Sequence, residues 1–586
     1  MKHKVSPSGS AWADRLPALA VAGAAFLAYA NTLSNGFVFD DNEQILGNIW
    51  LTDFRFFKEI FSSNVWGFMP GLVSNYYRPL MHAAYLALYQ AFGPKPFAFH
   101  LLNVLLQAAN SVLVFVIVER LLKSERADSR SDSTGARRAR IAALAAGILF
   151  AVHTIHTETV AWVAGLPDVA FTFFILLVFA WHLRPGPWPR WAFGCSAVAF
   201  LTALLFKETA IVLLPLLVAH DVLWPRSTPM RERLTRYFPL AGALFLYLSL
   251  RISVLGWFGV QRPLKPYGVL EAPAYAANIL YFFALYIGKL IVPIHLNALS
   301  DFIPLKSLLD GHALLGIGVF AACLAAVIAT WRRRPRVCFA LLFVVVPLLP
   351  VFLVPAYSLS PFGERYLYLP SVGLCLVVAL ATERLFRGSR ASVIAWGSAL
   401  VAVSGAMLAG TVARNQVWQS DLTLFADVVS KSPRSEIANG NLGRALLAAN
   451  RSAEAIPLFR TALVTNPDSV KARYHLGFAL LKNGQAAEAI PELERVQQIN
   501  PGRDETGSLA EAYGAVGRFA DAIAKREVIV AAAPGIPAEH NLLGIDYARA
   551  ERYEDAIREF EISVRLDPNE PAYRRNLDRA KEKIRR

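Results

Sequence analysis

Cysteine and acidic residues are both scarce in this chain, and each scarcity removes a class of explanation. Of 586 residues only four are cysteine: Cys195, Cys323, Cys338 and Cys375. All four lie in or beside apolar runs and none forms a CxxC pair, so neither a zinc site nor a disulfide framework is expected from them. Charged residues of every kind make up 18%, against 55% hydrophobic, and the mean hydropathy is +0.39. That balance is too apolar for a soluble chain of this length and points to many membrane spans. The charge that is present leans positive, with 59 Lys and Arg against 44 Asp and Glu. In a membrane protein such an excess gathers in cytoplasmic loops, so it is no sign of nucleic-acid binding.

No convincing small-residue cleavage site follows the apolar stretch at about 16–33, which therefore reads as an uncleaved first span. The character of the chain changes near residue 411. Before it, long apolar runs alternate with short polar loops; after it, the sequence is charged and alanine-rich. The expected organisation is a polytopic membrane domain over 1–411, a linker helix over 412–432 and a repeat domain over 433–586. The loop carrying Lys123, Arg126, Arg130, Arg137, Arg138 and Arg140 is basic and should be cytoplasmic, as should the basic stretches at 184–190, 226–236, 332–336 and 383–390. The long first loop, about 34–97, then lies outside. Its aromatic-rich pieces suit helices resting in the headgroup region. Segment 275–294 is apolar enough to span, but a crossing there would put 332–336 on the wrong side. A partly embedded helix is expected instead, giving about eleven crossings and placing residue 411 and the repeats on the extracytoplasmic side.

The C-terminal part repeats. Pro433, Pro467, Pro501, Pro534 and Pro568 are spaced by 34, 34, 33 and 34 residues. In phase with them run Leu442-Gly443, Leu476-Gly477, Leu509-Ala510 and Leu543-Gly544. This period, with small residues where helices cross, is the tetratricopeptide signature. About four repeats and a polar capping helix, Glu570–Arg586, are expected, forming a solenoid whose concave face can hold an extended peptide or a partner domain. Arg526 departs from the pattern, standing where Phe459, Leu493 and Phe560 stand in the other repeats.

The polar residues of the membrane half gather on the side of Asp40 and Asp41, which directly follow the first span. A carboxylate pair at the mouth of a lipid-embedded site can take a proton from a hydroxyl or hold a metal; alternatively one of the two caps a short interfacial helix. His153, His156 and Glu158 read either as a metal-ligand cluster, leaving a divalent metal open, or as a helix terminus whose histidines bond to backbone or to a lipid phosphate. Lys207-Glu208 is either a snorkelling lysine with its ion partner or a phosphate contact. Arg78, in Tyr76-Tyr77-Arg78-Pro79, and Arg365, in Glu364-Arg365-Tyr366, are either interfacial anchors or bidentate phosphate ligands. Asp168, after Gly165-Leu-Pro, is expected to cap the next helix. Acids for a hydroxyl nucleophile and cations for a phosphate leaving group are the equipment for moving a group off a lipid phosphate.

These residues sit in segments that resemble a known family: Phe37-Val-Phe-Asp40-Asp41, Tyr77-Arg78-Pro79-Leu80, Phe99-His100-Leu-Leu-Asn103, His153-Thr-Ile-His156-Thr-Glu158, Phe206-Lys207-Glu208 and Glu364-Arg365-Tyr366-Leu-Tyr368-Leu-Pro370. In this order, and followed by the repeats, they resemble the transmembrane and tetratricopeptide-repeat O-mannosyltransferases, which are class C glycosyltransferases. The resemblance implies an all-α fold, with a polytopic membrane domain of class C type followed by the repeat solenoid. It implies a polyprenyl-phosphate sugar donor, a Ser or Thr acceptor held by the repeats, and an acidic catalytic motif falling on Asp40 and Asp41. Arg78, Lys207 and Arg365 would hold the donor phosphate, with His153, His156, Glu158, Glu208 and Glu364 in support. The short loops and compact size suggest a bacterial relative in the inner membrane. A membrane-anchored scaffold that only recruits partners is the rival reading.

Overall fold

The computed structural model describes residues 10–72, 74–123, 133–184, 188–224, 230–256, 270–356, 361–499 and 502–585. Arg126, Arg130, Arg226 and Pro501, used above to place loops and repeats, lie outside the described residues. Among the described residues every element is helical, so the chain is all-α. It divides into two units, Met1–Leu424 and Phe425–Arg586, and the division falls inside the helix Asp421–Lys431.

The first unit is a membrane protein by its helices. Among the described residues, eight are long and apolar enough to cross a bilayer, from Arg15–Ser34 to Arg390–Gln419, and a ninth span arises if the bent pair Thr134–Val152 and Thr154–Ala161 counts as one. The helix Val163–His182 is the hub, 78% buried along its apolar window, whereas Gly311–Thr330 is 11% buried. An apolar helix left so open within its own chain finds its solvent in lipid. The expected number of crossings, about eleven, also takes in the shorter helices Arg190–Phe206, Leu213–Leu223 and Ser371–Leu385. They stop early because polar segments follow or precede them: Lys207–Val212 between the first two, and Glu364–Pro370 before the third. The helix Ala272–Ile291 is long enough to cross. Lys289 in its last turn lies 3.4 Å from Glu364, and upstream Arg251 bonds to the carbonyl of Asn75 in the first loop at 2.9 Å.

The second unit is a tetratricopeptide-repeat solenoid. Four helix pairs follow in order: Glu436–Ala448 with Ser452–Thr465, Val470–Lys482 with Ala486–Ile499, Arg503–Ala515 with Phe519–Ala532, and Pro537–Arg549 with Tyr553–Leu566. The helix Pro571–Arg585 closes the array. Within each pair the small residue faces the bulky one. A Cβ on Gly443 would meet the Phe459 ring at 2.6 Å, on Gly477 the Leu493 side chain at 2.7 Å, and on Gly544 the Phe560 ring at 2.7 Å. In the third pair Ala510 already carries that Cβ, and the facing residue is the slimmer Arg526. Arg526 is buried and satisfied by Asp546 at 3.2 Å and Glu539 at 3.5 Å.

Candidate active site

The acidic loop leaves the first span through a short turn, Ala30–Ser34, and re-enters helical geometry at the wide π-turn Asn42–Leu46. The two aspartates between them have different surroundings. Asp41 is fully buried; its Oδ2 accepts the amide of Val38 at 3.1 Å and its Oδ1 the amide of Ala164 at 2.8 Å. It ties the loop to the turn that precedes the hub helix. Asn103 holds the same turn, donating to the carbonyl of Trp162 at 2.9 Å, and Gly165 is required there because a Cβ would meet the Thr159 carbonyl at 2.2 Å. Asp40 is half-buried, and its carboxylate has no hydrogen-bond partner among the described residues. Burial pushes it up from 3.8 to about 7, Glu43 adds to the rise, and the charge of Arg365 opposes it. Such a group exchanges a proton near neutral pH.

The three cations each stand at a break in a helix, and each faces a carboxylate. Arg78 precedes Pro79, which keeps it out of the helix Pro79–Phe92. It grips Glu208 with two bonds, 3.1 Å and 2.6 Å, and lies 4.3 Å from the Tyr76 ring centre. Lys207 has extended backbone after Phe206, so its side chain and that of Glu208 diverge. Its Nζ lies 2.5 Å from Asp168, in the first turn of the hub helix, so Asp168 binds the lysine and caps nothing. Burial holds the Lys207 ammonium below its ordinary value. Arg365 donates from Nη1 and from its backbone amide to Glu158, at 2.5 and 3.0 Å, and lies between the rings of Trp162 and Tyr366. Lys207, Arg365, Asp168 and Tyr366 line one small cavity of about 20 Å³ together with apolar Phe171, Val351 and Leu369. Glu364 turns away from Arg365, accepts the amide of Asn297 at 2.7 Å, and is pushed by burial and by Glu158 to about 7.

The histidines are committed elsewhere. His153 accepts the amide of Ile155 at 3.3 Å, and His156 bonds to Ser371 at 2.8 Å. They terminate the bent helix and tie it to the helix Ser371–Leu385. Among the described residues the one group of three or more His and acidic side chains with metal-ligand spacing is His182, His220 and Asp221. It lies at the other end of the hub helix, where both rings bond to one oxygen of Asp221 at 2.7 and 3.1 Å and Tyr237 bonds to the second at 2.9 Å. Sequence reasoning did not single out Trp162, which lies beside Arg365, and it gave Asp168 another task. No local signal marks either, since the partners are 203 and 39 residues away in the chain.

A tetratricopeptide-repeat family model matches residues 441–504. Protein O-mannosyl-transferase Tmtc1 of Drosophila melanogaster is 28% identical over 75% of this chain and 60% of its own length. The human protein O-mannosyl-transferase TMTC3 is 26% identical over 75% of this chain and 50% of its own. This chain is similar to the protein O-mannosyl-transferases. It spans 60% or less of the length of these two relatives. Among solved structures, MamA 41-end from Desulfovibrio magneticus RS-1 is 23% identical over 25% of this chain and 85% of that chain, with a TM-score of 0.25.

Proposed function

We propose that this chain is an integral-membrane glycosyltransferase that moves mannose from a polyprenyl-phosphate donor to a Ser or Thr hydroxyl of a protein. The observation that carries the reading is Asp40: a half-buried carboxylate with no hydrogen-bond partner among the described residues, pushed up by burial to about 7 and within the field of Arg365, which lines a pocket with Lys207. The names of the relatives support the same chemistry. In this mechanism Asp40 takes the proton of the acceptor hydroxyl. The freed oxygen bonds to the anomeric carbon, and the bond from that carbon to the phosphate oxygen breaks. The phosphate leaves with the electron pair and is held by Arg365 and Lys207. Attack and departure on opposite faces invert the anomeric centre. The apolar wall of Phe171, Val351 and Leu369 receives the first part of the lipid chain. With the N-terminus cytoplasmic, the site and the repeats face the extracytoplasmic side of the bacterial inner membrane, where the solenoid holds the acceptor.

The test is transfer of radiolabelled mannose from a polyprenyl-phosphate donor into protein, in membranes carrying the wild type or Asp40→Asn. Loss of transfer with normal abundance is expected. Undiminished transfer removes Asp40 from the chemistry, and absence of transfer by the wild type with any polyprenyl-phosphate sugar removes the reading.

A further inference from the structure

The loop that carries Asp40 is held from the far end of its own unit. Phe39, immediately before Asp40, has φ +54°, a left-handed conformation that a bulky residue adopts only when its surroundings impose it. Its amide donates to Oδ1 of Asp421 at 2.7 Å. The other oxygen of that carboxylate accepts Nδ2 of Asn42 at 2.9 Å. One carboxylate therefore bridges residues 39 and 42, which bracket the acid pair. The same stretch adds further ties: Gly36 donates its amide to the carbonyl of Gln419 at 3.0 Å, and Asn35 donates to that of Asn415 at 3.2 Å. The Phe39 ring stacks on Trp162 at 6.0 Å, and Trp162 on the buried Trp418 at 5.9 Å.

An acid in the first turn of a helix ordinarily serves that helix. Asp421 opens Asp421–Lys431, yet the capping there is done by its neighbours. The amide of Thr423 donates to Oγ of Ser420 at 3.2 Å, and the amide of Ser420 to Oγ1 of Thr423 at 3.0 Å, a reciprocal box. The Asp421 side chain is thereby available to a loop 379 residues earlier in the chain.

We propose that Asp421 is a positioning residue for the transfer reaction: it holds Phe39 in the left-handed conformation and so fixes the direction of the Asp40 carboxylate that follows it. This rests on the reading of Asp40 as the base. Without that carboxylate, Phe39 relaxes toward an ordinary backbone basin and the direction of the next side chain rotates with it. A misplacement of about 1 Å at a reacting group costs about 100-fold in rate.

The experiment compares full-length Asp421→Ala, Asp421→Asn and Asp40→Asn with the wild type in detergent. It measures transfer of radiolabelled mannose from polyprenyl-phosphate mannose, the KM for that donor, and amide exchange over residues 36–43. Asp421→Ala should lower kcat about 10- to 100-fold with donor KM within about twofold, and speed exchange in 36–43 alone. Asp421→Asn keeps an acceptor for Phe39 and should fall between; being nearly isosteric, it carries the test should the alanine variant not fold. Unchanged exchange over 36–43, or unchanged kcat in Asp421→Ala while Asp40→Asn is dead, overturns the inference and leaves the base assignment standing. Full transfer by Asp40→Asn overturns the base assignment itself, whatever the exchange data show.

Discussion

Replacing Asp40 by Asn should end transfer and stabilise the protein at the same time. The folded carboxyl titrates near 7 instead of 3.8, so the native state binds this proton more tightly than the unfolded chain does. Stability is therefore lost as pH rises from about 4 to about 7, and the penalty is complete above that. A gap of about 3 pH units at 1.36 kcal/mol each sets an upper limit of about 4 kcal/mol. Asp40 is half-buried and not sealed, so solvent screening brings the expected gain to about 1–2 kcal/mol. Asparagine has the same shape and no charge to desolvate. At pH 8 the variant should melt above the wild type, and the difference should shrink as pH is lowered toward 4. Transfer by the wild type should fall on the acid side, with the base about half ionised at pH 7 and about one-tenth at pH 6. Paired melting curves and transfer rates across this range decide the matter. A variant that melts no higher at pH 8, or that still transfers sugar, refutes the reasoning.

Arg365→Ala leaves Glu158, with a side chain 2% exposed, without its partner and should cost about 3–5 kcal/mol; removing both charges together as Arg365→Met with Glu158→Leu should recover melting temperature but not transfer. Gly165→Ala puts a methyl 2.2 Å from the Thr159 carbonyl and should cost at least 1–3 kcal/mol, read as aggregation in size-exclusion profiles of detergent extracts. In the repeats, Arg526→Leu leaves the buried Asp546 with only the exposed Arg549, at 3.8 Å, and should lower stability by about 2–4 kcal/mol, while Arg526→Leu with Asp546→Leu regains most of it in thermal melts.

The repeats could be read from the sequence because their signal is local and recurs: the small residue and its bulky partner lie 16 residues apart in every pair, as Gly443 and Phe459 do. Long apolar runs likewise announced the membrane unit. The pairing of the cations was not legible. Lys207 and Glu208 are adjacent and opposite in charge, which invites a local pair, but extended backbone sends them to Asp168 and to Arg78. Nor did the sequence separate Asp40 from Asp41, two identical residues side by side. What distinguishes them is a pair of backbone amides, at Val38 and at Ala164 123 residues away, which engage the Asp41 carboxylate. The role of Asp421 was hidden for the same reason, behind a position where an acid already has an ordinary explanation.

Lys207 on Asp168 and Arg365 on Glu158 leave both cations of the resting pocket already paired, and Arg78 is likewise held by Glu208. An anion arriving there meets no bare positive well; it has to outbid the resident acids for the same donors. A headgroup by itself gains little from that exchange, so free phosphate and soluble sugar phosphates should be poor ligands. Recognition falls to the greasy tail, which gains by entering between helices whatever the headgroup does. Under the proposed function, selectivity for a lipid-borne sugar over its water-soluble counterparts would follow from how the cations are already occupied.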